Sequence, residues 1–284
     1  MNVLIAGLSI LVAAILAQPF YFLWPVTFAI ISGMLIAAGA NAVNDWCDLD
    51  IDRINRPERI LPSGRLTPKA ARSFAIFLFA CGNFFSIFIN TAAASIAVAT
   101  SLLLIVYSLS LKRRPLLGNL AVSLATASAF IYGALAAHAG LSRPPSPEPI
   151  AAFNAWNFDW RAGIFPAGFS FLFHFGREVI KDIEDQAGDR AGDARTLPLA
   201  YGLNAAQIAA TIAFVLLLLA TIVPFYLGIY SKTYLWIVLL GVDPVLLAVL
   251  YFLWTQPVPQ RMRQMSAALK ADMLVGLAAI YFGR

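Results

Sequence analysis

The chain has 284 residues, of which 60% are hydrophobic and only 12% are charged, against about 25% charged residues in a soluble domain. This composition excludes intrinsic disorder and argues against a soluble enzyme, because so few charges could not cover a water-facing surface. The net charge of +5 fits the basic loops of a membrane protein better than a nucleic-acid-binding surface, since the mean hydropathy is +0.77.

Nine apolar stretches are long enough to cross a bilayer, which takes about 20 residues. They cover residues 2–18, 25–45, 70–90, 92–111, 118–138, 161–182, 198–226, 234–254 and 264–282. The first stretch has no basic lead-in, so we expect no cleavable signal peptide. Cys47 and Cys81 lie in or beside apolar stretches, which indicates neither a disulfide framework nor a thiolate metal site. The pattern predicts an all-α polytopic membrane protein, a bundle of about nine transmembrane helices in one domain, residues 1–284.

The basic residues are concentrated on one side of the predicted bundle. Of the 20 Lys and Arg residues, 16 fall in four segments near 46–72, 111–117, 177–197 and 255–270. By the positive-inside rule these segments are cytoplasmic, which places the N-terminus inside and, with nine spans, the C-terminus outside. The stretch 139–160, on the opposite side, is rich in Pro and Trp and is expected to lie along the headgroup layer.

Two acidic motifs have the same spacing. Asp45, Asp48 and Asp52 are spaced i, i+3, i+7, which places their side chains on one helix face. The same spacing recurs 137 residues later, at Asp182, Asp185 and Asp189. Each motif ends an inward-running span. The chain is therefore predicted to contain two pseudo-repeats, about 1–137 and 138–284, whose acid faces meet at one cavity.

Carboxylates crowded on a turn and a half of helix repel one another unless a cation offsets their charge. Oxygen ligands suit Mg²⁺, which usually joins one or two carboxylates to a substrate phosphate. Two such faces could therefore hold a pair of metal ions around a diphosphate. Acids at a membrane boundary can instead simply solvate a helix end, and a secondary transporter also carries acids in its membrane domain. A transporter's acids would usually lie near mid-bilayer, whereas these lie at one face beside arginines.

Four basic residues near the motifs are candidates for binding phosphate, because Arg and Lys grip phosphoryl oxygens. They are Arg59, Lys112, Arg177 and Lys181. Arg59 lies in a loop stiffened by two prolines and a glycine. For Lys112, in the acid-free segment 107–119, a topology signal or contact with lipid headgroups is an equal alternative.

Single polar residues in the apolar spans have simpler expected roles. Tyr107 and Asn119 are expected to satisfy backbone groups. The lone histidines His138 and His174 are not expected to be catalytic.

The motifs resemble the signatures of the UbiA superfamily of intramembrane prenyltransferases. The first resemblance is Asn-Asp-x-x-Asp-x-x-x-Asp at 44–52 followed by Asn-Arg-Pro-x-Arg-x-x-Pro-Ser-Gly at 55–64. The second is Arg-Glu-x-x-Lys-Asp-x-x-Asp-x-x-Gly-Asp at 177–189. Both motifs are most similar to the motifs of the superfamily members that prenylate geranylgeranylglyceryl phosphate. Chlorophyll synthases have a similar first motif. Members usually carry Arg-Pro-x-Asn at the first helix, so we expect a lead-in before Asn2.

The resemblance implies a nine-helix bundle around a central cavity and Mg²⁺-dependent prenyl transfer. The implied Mg²⁺ ligands are Asn44, Asp48, Asp52, Asp182, Asp185 and Asp189, with Asp45 as a further ligand or an orienting residue. Arg59, Lys112 and Lys181 would neutralise the departing diphosphate, and Arg177 or the loop arginines would hold an acceptor phosphate. The implied partners are membrane lipids, a prenyl diphosphate (geranylgeranyl in the subfamily) and a lipid acceptor, with no obligatory protein partner. An aromatic or chlorophyllide acceptor is the alternative.

Overall fold

A computed structural model describes residues 2–17, 23–55, 57–139 and 160–284. Within these ranges the chain is helical and contains no β-strand, as the sequence predicted. The stretch 139–160, predicted to lie along the headgroup layer, falls almost entirely outside the described residues, as does Arg56 of the first motif.

The described part of the first half of the chain contains six α-helices. They are α1 (Asn2–Leu16), α2 (Leu23–Cys47), α3 (Leu49–Asn55), α4 (Pro68–Ile87), α5 (Thr91–Leu109) and α6 (Leu117–His138). A single 3₁₀ turn, Leu111–Arg113, connects α5 to α6. It carries Lys112 toward the end of α2.

The described part of the second half of the chain contains seven α-helices. They are α7 (Trp160–Glu184), α8 (Gln186–Ala191), α9 (Leu197–Tyr201), α10 (Leu203–Tyr226), α11 (Lys232–Ile237), α12 (Asp243–Thr255) and α13 (Pro259–Phe282). A π-helical turn, Val238–Val242, joins α11 and α12 into one helical stretch of 24 residues.

Seven helical stretches among the described residues are long and apolar enough to cross a membrane: α2, α4, α5, α6, α10, α11–α12 and α13. The sequence predicted about nine spans. The other two predicted spans correspond to α1, which has 15 residues, and to α7, which has 25 residues but carries the charges of the second motif. The structure therefore supports an integral membrane protein with several spans, and the count of nine stays a prediction.

Local sequence explains where several helices begin. The Thr67 side chain accepts a hydrogen bond from the Ala70 amide at 3.2 Å, and Pro68 follows as the first residue of α4. The Asn90 side chain caps α5 in the same way, accepting from the Ala93 amide at 2.7 Å. Such caps satisfy amide groups that have no partner within the helix, and proline suits the first helical position.

Four buried apolar clusters hold the described part of the bundle together, and the smallest of them packs alanines of α1, α6 and α7. One packs α7, α10, α12 and α13 around Phe214 and Leu246, and another packs the helices of the first half around Phe79 and Tyr132. The third includes Tyr234 and joins α1 and α6 to α7, α11 and α13. Many outward-facing side chains are apolar as well, which is the surface that lipid tails require. The two halves thus share one folded body.

Small residues allow close helix contacts. Gly133 on α6 lies against the backbone carbonyl of Ile10 on α1, where a Cβ atom would overlap the carbonyl oxygen. Gly82 on α4 similarly approaches the backbone of α2. Close backbone approach at small residues is the usual way in which membrane helices associate.

The two acidic motifs occupy equivalent positions. Helix α7 begins and ends 137 residues after α2 begins and ends, and α8 begins 137 residues after α3. Each motif therefore spans the break between a long helix and a short one.

Candidate active site

The first acidic motif spans the break between α2 and α3, and backbone hydrogen bonds continue across this break. Asp48 lies at the break between α2 and α3. Its amide donates to the Asn44 carbonyl at 2.9 Å, and the Asp52 amide donates to the Asp48 carbonyl at 2.8 Å. Because the i to i−4 ladder continues through the break, the motif keeps its helical spacing, and Asp45, Asp48 and Asp52 all face one pocket.

The second motif is built in the same way. Asp185 lies between α7 and α8. Its amide donates to the Lys181 carbonyl at 2.8 Å, and the Asp189 amide donates to the Asp185 carbonyl at 3.0 Å. The motif thereby retains its helical spacing, and Asp182, Asp185 and Asp189 face the same pocket as the first motif.

One pocket of about 1030 Å³ collects every site residue that the sequence predicted. These are Asn44, Asp45, Asp48, Asp52, Arg59, Lys112, Arg177, Lys181, Asp182, Asp185 and Asp189. They come from segments up to 145 residues apart, Asn44 to Asp189. The structure therefore brings the predicted residues together, and their roles stay a proposal.

Direct contacts connect the segment after the second motif to the turn after α5 and to α3. The Arg195 amide, after the second motif, donates to the Arg113 carbonyl at 2.9 Å. Gly192 faces Ile51 of α3, whose Cδ1 atom lies 2.6 Å from where a Cβ atom of residue 192 would be. The absence of a side chain at Gly192 therefore lets the end of α8 approach α3.

Every carboxylate of the first motif is paired with a cation. Arg59 Nη1 lies 2.8 Å from Asp52 Oδ2 and 3.3 Å from Asp45 Oδ1. Lys112 Nζ contacts the Asp48 carboxylate and lies 3.3 Å from Asn44 Oδ1. The sequence assigned Arg59 and Lys112 to the diphosphate and Asn44, Asp48 and Asp52 to Mg²⁺. In the structure, the residues predicted to bind the diphosphate instead contact the residues predicted to bind Mg²⁺.

The second motif has a different set of neighbours. Asn119 on α6 donates from its amide nitrogen to Asp182 Oδ2 at 2.9 Å. The expectation that Asn119 satisfies a backbone group was therefore wrong, because its side-chain amide donates to a carboxylate of the neighbouring helix α7. Burial, with the negative charges of Asp185 and Asp48 as smaller causes, raises the pKa of Asp189 from its usual 3.8 to about 6.

Glu178 is the acid that neutralises the cations before the second motif. It accepts from Arg177 Nη1 at 3.0 Å and from Lys181 Nζ at 2.8 Å. Glu178 and Arg177 are largely buried, whereas the Lys181 side chain is 37% exposed. Arg263 at the start of α13 also binds an acid near the pocket, Glu184, at 3.0 Å.

The oxygen atoms of the first motif fit a metal ion chemically. Asn44 Oδ1 and the Asp48 carboxylate converge on one ammonium nitrogen, so they present a cation with oxygen ligands of the kind that Mg²⁺ prefers. Among the described residues, no three His, Cys, Asp or Glu side chains are arranged around a single point in a way that could hold a metal ion. Binding at both motifs would therefore need the acids to exchange their present partners.

The two histidines make local hydrogen bonds. His138 Nδ1 lies 3.1 Å from the Ala134 carbonyl, and His174 Nδ1 lies 2.9 Å from the Ser170 carbonyl. Both bonds are within one helix. His174 also lines the pocket, and the expectation that neither histidine is catalytic stays a prediction. Sequence reasoning missed Lys270 of α13, which also lines the pocket. A signal was present, because Lys270 is a charged residue inside a predicted span.

Comparison with known proteins gives one consistent family. A family model described as the UbiA prenyltransferase family matches residues 6–271. A digeranylgeranylglyceryl phosphate synthase from Methanopyrus kandleri is 36% identical over 279 residues, which cover 97% of this chain and 89% of that protein.

Two solved structures resemble the fold over nearly its whole length. One concerns digeranylgeranylglyceryl phosphate synthase in membranes. It is 27% identical with a TM-score of 0.74 and covers 98% of this chain and 92% of that one. The other is a UbiA homolog from Archaeoglobus fulgidus bound to GPP and Mg²⁺. It is 16% identical with a TM-score of 0.65 and covers 97% and 96% of the two chains.

Proposed function

The chain belongs to the UbiA prenyltransferase family, and we propose that it transfers a geranylgeranyl group from its diphosphate to the hydroxyl of geranylgeranylglyceryl phosphate. The observation that carries this proposal is the single pocket in which both acidic motifs and four cations meet. The acceptor follows from the relative of 36% identity, which is a digeranylgeranylglyceryl phosphate synthase. The product would be a membrane lipid with two ether-linked chains.

The acidic motifs would hold Mg²⁺ on both sides of the diphosphate. The ligands would be Asn44, Asp48 and Asp52 on one side and Asp182, Asp185 and Asp189 on the other. Mg²⁺, when bound, supplies positive charge that stabilises the diphosphate as a leaving group. Asp45 shares Arg59 with Asp52, so it orients that arginine beside the ligands. Asn119 holds Asp182 in place from the neighbouring helix α6.

The basic residues would bind the charge that develops on the leaving group. Lys112, Arg59 and Lys181 line the pocket beside the motifs, so each can reach a phosphoryl oxygen after a change of side-chain rotamer. Lys112 would exchange Asp48 for the diphosphate when Mg²⁺ binds that carboxylate. In a site that excludes water, such contacts contribute strongly to the rate.

Departure of the diphosphate breaks the bond between C1 of the prenyl chain and the diphosphate oxygen. The allylic cation that remains would lie against apolar side chains of the pocket wall, among them Ile36, Leu104 and Val122. These exclude water and so prevent hydrolysis. The acceptor hydroxyl oxygen then forms the new bond to C1, and its proton passes to the released diphosphate or to an aspartate of the motifs.

The membrane arrangement forms part of the proposal. Helices α1 and α7 would cross the membrane together with the seven long apolar stretches, giving nine spans around a central cavity. Sixteen of the 20 Lys and Arg residues lie in four segments on one side of the predicted bundle. By the positive-inside rule, this distribution supports a cytoplasmic site and a cytoplasmic N-terminus. The equal bounds of α2 and α7, 137 residues apart, support two pseudo-repeats, about 1–137 and 138–284.

A competition assay tests the acceptor. The purified protein in lipid nanodiscs is given geranylgeranyl diphosphate and Mg²⁺ with equal amounts of geranylgeranylglyceryl phosphate, 4-hydroxybenzoate and chlorophyllide. Mass spectrometry should find the doubly prenylated glyceryl phosphate as the main product, with one diphosphate released for each transfer. Prenylation of only the aromatic or the tetrapyrrole acceptor would overturn the proposal.

A further inference from the structure

The pocket extends from the acidic motifs deep into the helical bundle. On α6 its lining runs from Asn119, which contacts Asp182, to Tyr132. At 1.5 Å of rise per residue, these two α6 positions are about 20 Å apart along the helix axis. On α2 the lining runs from Asp48 to Gly33, which corresponds to about 22 Å of helix. The two helices therefore give the pocket a similar depth below the motifs.

The deep part of the pocket suits a hydrocarbon chain. Below the motifs, the lining residues of α2, α5 and α6 carry no charge. The hydroxyl groups of Thr100 and Ser128 lie 3.1 Å apart and satisfy each other. Several other lining residues on these helices are small, namely Gly33, Ala37, Ala97, Ala125 and Ala129. Small, uncharged side chains leave space that is favourable for apolar groups and unfavourable for a phosphate.

Tyr132 is the last residue of α6 that lines the pocket. Its side chain is only 4% exposed, and its Oη atom donates a hydrogen bond to Ser32 Oγ of α2 at 2.8 Å. The next residue, Gly133, lies against the Ile10 carbonyl of α1. Helix α6 is therefore held against α1 and α2 at this level. Beyond the pocket, Tyr132 belongs to the same buried apolar cluster as Ala136, so packed side chains lie behind its ring.

The depth of the pocket matches one length of prenyl chain. With C–C bonds of about 1.5 Å in a zigzag, an extended geranylgeranyl chain is roughly 20 Å long, and each isoprene unit adds roughly 5 Å. A chain whose diphosphate is bound at the motifs would end beside Tyr132. A chain one isoprene unit longer would meet the tyrosine ring and the close-packed cluster behind it, which resists expansion.

We infer that Tyr132 determines donor specificity by limiting the length of the prenyl chain, so that geranylgeranyl fits and geranylfarnesyl does not. The inference rests on the proposed function, because it takes the diphosphate to be bound at the two acidic motifs. The ring of Tyr132 is the barrier, and the hydrogen bond to Ser32 holds that ring across the inner end of the pocket. Donor length is thus set about 20 Å away from the reacting carbon.

Competition between donors tests this limit. The protein in nanodiscs is given Mg²⁺, geranylgeranylglyceryl phosphate and equal amounts of farnesyl, geranylgeranyl and geranylfarnesyl diphosphate, and the products are separated by mass. The wild-type protein should prefer geranylgeranyl over geranylfarnesyl diphosphate by roughly tenfold or more, as expected for a group that a pocket cannot accommodate. Tyr132→Ala should lose most of this preference, whereas Tyr132→Phe keeps the ring and should retain it. Each preference is a ratio within one sample, so partial loss of folded protein does not change it.

A second variant shortens the pocket and leaves its inner end intact. Ala129→Phe would place a ring about 15 Å from Asn119, which leaves room for a farnesyl chain. This variant should prefer farnesyl over geranylgeranyl diphosphate. Leu124→Phe is the matched control, because Leu124 lies on the same helix, is 55% exposed and does not line the pocket. Unchanged preferences in both Tyr132→Ala and Ala129→Phe would overturn the inference.

A smaller pocket of about 80 Å³ offers another path for the chain. It shares Ser9 and Ser170 with the main pocket and extends toward α13. Gly276→Leu would fill it, because a Cβ atom at this lining residue meets nothing within 4 Å. The variant should leave the donor preference unchanged. A change caused by Gly276→Leu, with none caused by Tyr132→Ala, would place the chain end in the smaller pocket and contradict the inference.

Binding without an acceptor separates this inference from the proposed function. With Mg²⁺ alone, geranylgeranyl diphosphate should raise the thermal unfolding temperature more than geranylfarnesyl diphosphate does. Equal shifts with both donors would refute the length limit and keep the proposed function. No shift with either donor would refute both. A clear limit at geranylgeranyl, in a protein that transfers nothing to geranylgeranylglyceryl phosphate, would refute the proposed acceptor and keep the role of Tyr132.

Discussion

Lys112 holds its ammonium group against the carboxylate of Asp48, and the same nitrogen lies 3.3 Å from Asn44 Oδ1. The contact joins the turn after α5 to the break between α2 and α3. Two proposed Mg²⁺ ligands are therefore bound to a positive charge that the protein itself supplies. If these residues bind Mg²⁺ as proposed, the ion and Lys112 would compete for the same oxygens, and metal binding would release Lys112 toward the diphosphate.

Lys112→Met tests this competition. In EDTA the variant should lose about 1–3 kcal/mol of unfolding free energy, because Asp48 then lacks a charged partner. Added Mg²⁺ should recover most of that loss. The turnover rate should nevertheless fall about 100-fold, since the leaving group loses a donor. Unfolding of the protein in detergent measures the loss of stability, and an assay of prenyl transfer measures the loss of turnover. Exposed Lys69→Met is the matched control, and equal behaviour of the two variants would contradict the competition.

Asn119→Leu should weaken metal binding without removing a metal ligand. The variant leaves Asp182 without its donor at 2.9 Å, and loss of such an orienting hydrogen bond typically costs about 10–100-fold in metal affinity. The Mg²⁺ concentration for half-maximal activity should rise accordingly. Ser123→Ala, one turn further along α6 and outside the pocket, should leave it unchanged. Equal Mg²⁺ requirements in the two variants would show that Asn119 does not support the site.

Mg²⁺ affinity should fall in acid because of Asp189. Its pKa is raised to about 6, so below that pH the metal-free protein carries a proton that Mg²⁺ must displace. Calorimetry without substrate should show Mg²⁺ affinity nearly constant above pH 7 and falling roughly tenfold per pH unit below 6 if a single proton is displaced. Exposed Asp193→Asn should keep this dependence. A flat affinity between pH 5 and 7 in the wild-type protein would exclude Asp189 as a ligand.

Gly133→Ala should destabilise the contact between α1 and α6. The added methyl group overlaps the Ile10 carbonyl oxygen, so the backbone of α1 must move. Overpacking of this kind costs about 1–3 kcal/mol. The unfolding temperature should fall, whereas Gly168→Ala on α7, where a Cβ atom meets nothing within 4 Å, should leave it unchanged or raise it. Equal unfolding temperatures for the two variants would contradict the close packing.

The sequence predicted the positions of the site residues because their pattern is local. Helical spacing places Asp45, Asp48 and Asp52 on one face, and the 137-residue repeat places a matching face on α7. The predicted spans also correspond closely to the long helices, since apolar runs of this length have few alternatives in a membrane. The breaks at Asp48 and Asp185 were not predicted, because neither proline nor glycine occupies those positions.

Contacts between distant residues could not be predicted from one sequence. Whether Lys112 would meet a phosphate or Asp48 depends on side-chain placement across 64 residues. Asn119 meets Asp182 across 63 residues, and no local pattern encodes that distance. Lys270 also joins the pocket only through the packing of α13, a placement that no local pattern encodes.

Substitution of one aspartate in each motif is the most direct test of the two-sided site. Asp48→Asn and Asp185→Asn keep the size of the side chain and remove its charge. The measurement is Mg²⁺-dependent transfer of labelled geranylgeranyl to geranylgeranylglyceryl phosphate in nanodiscs, with exposed Asp193→Asn as the control. We predict that each of the two substitutions abolishes transfer in a protein that still folds and inserts, while the control retains it. Full turnover by either variant would contradict a site built from both motifs.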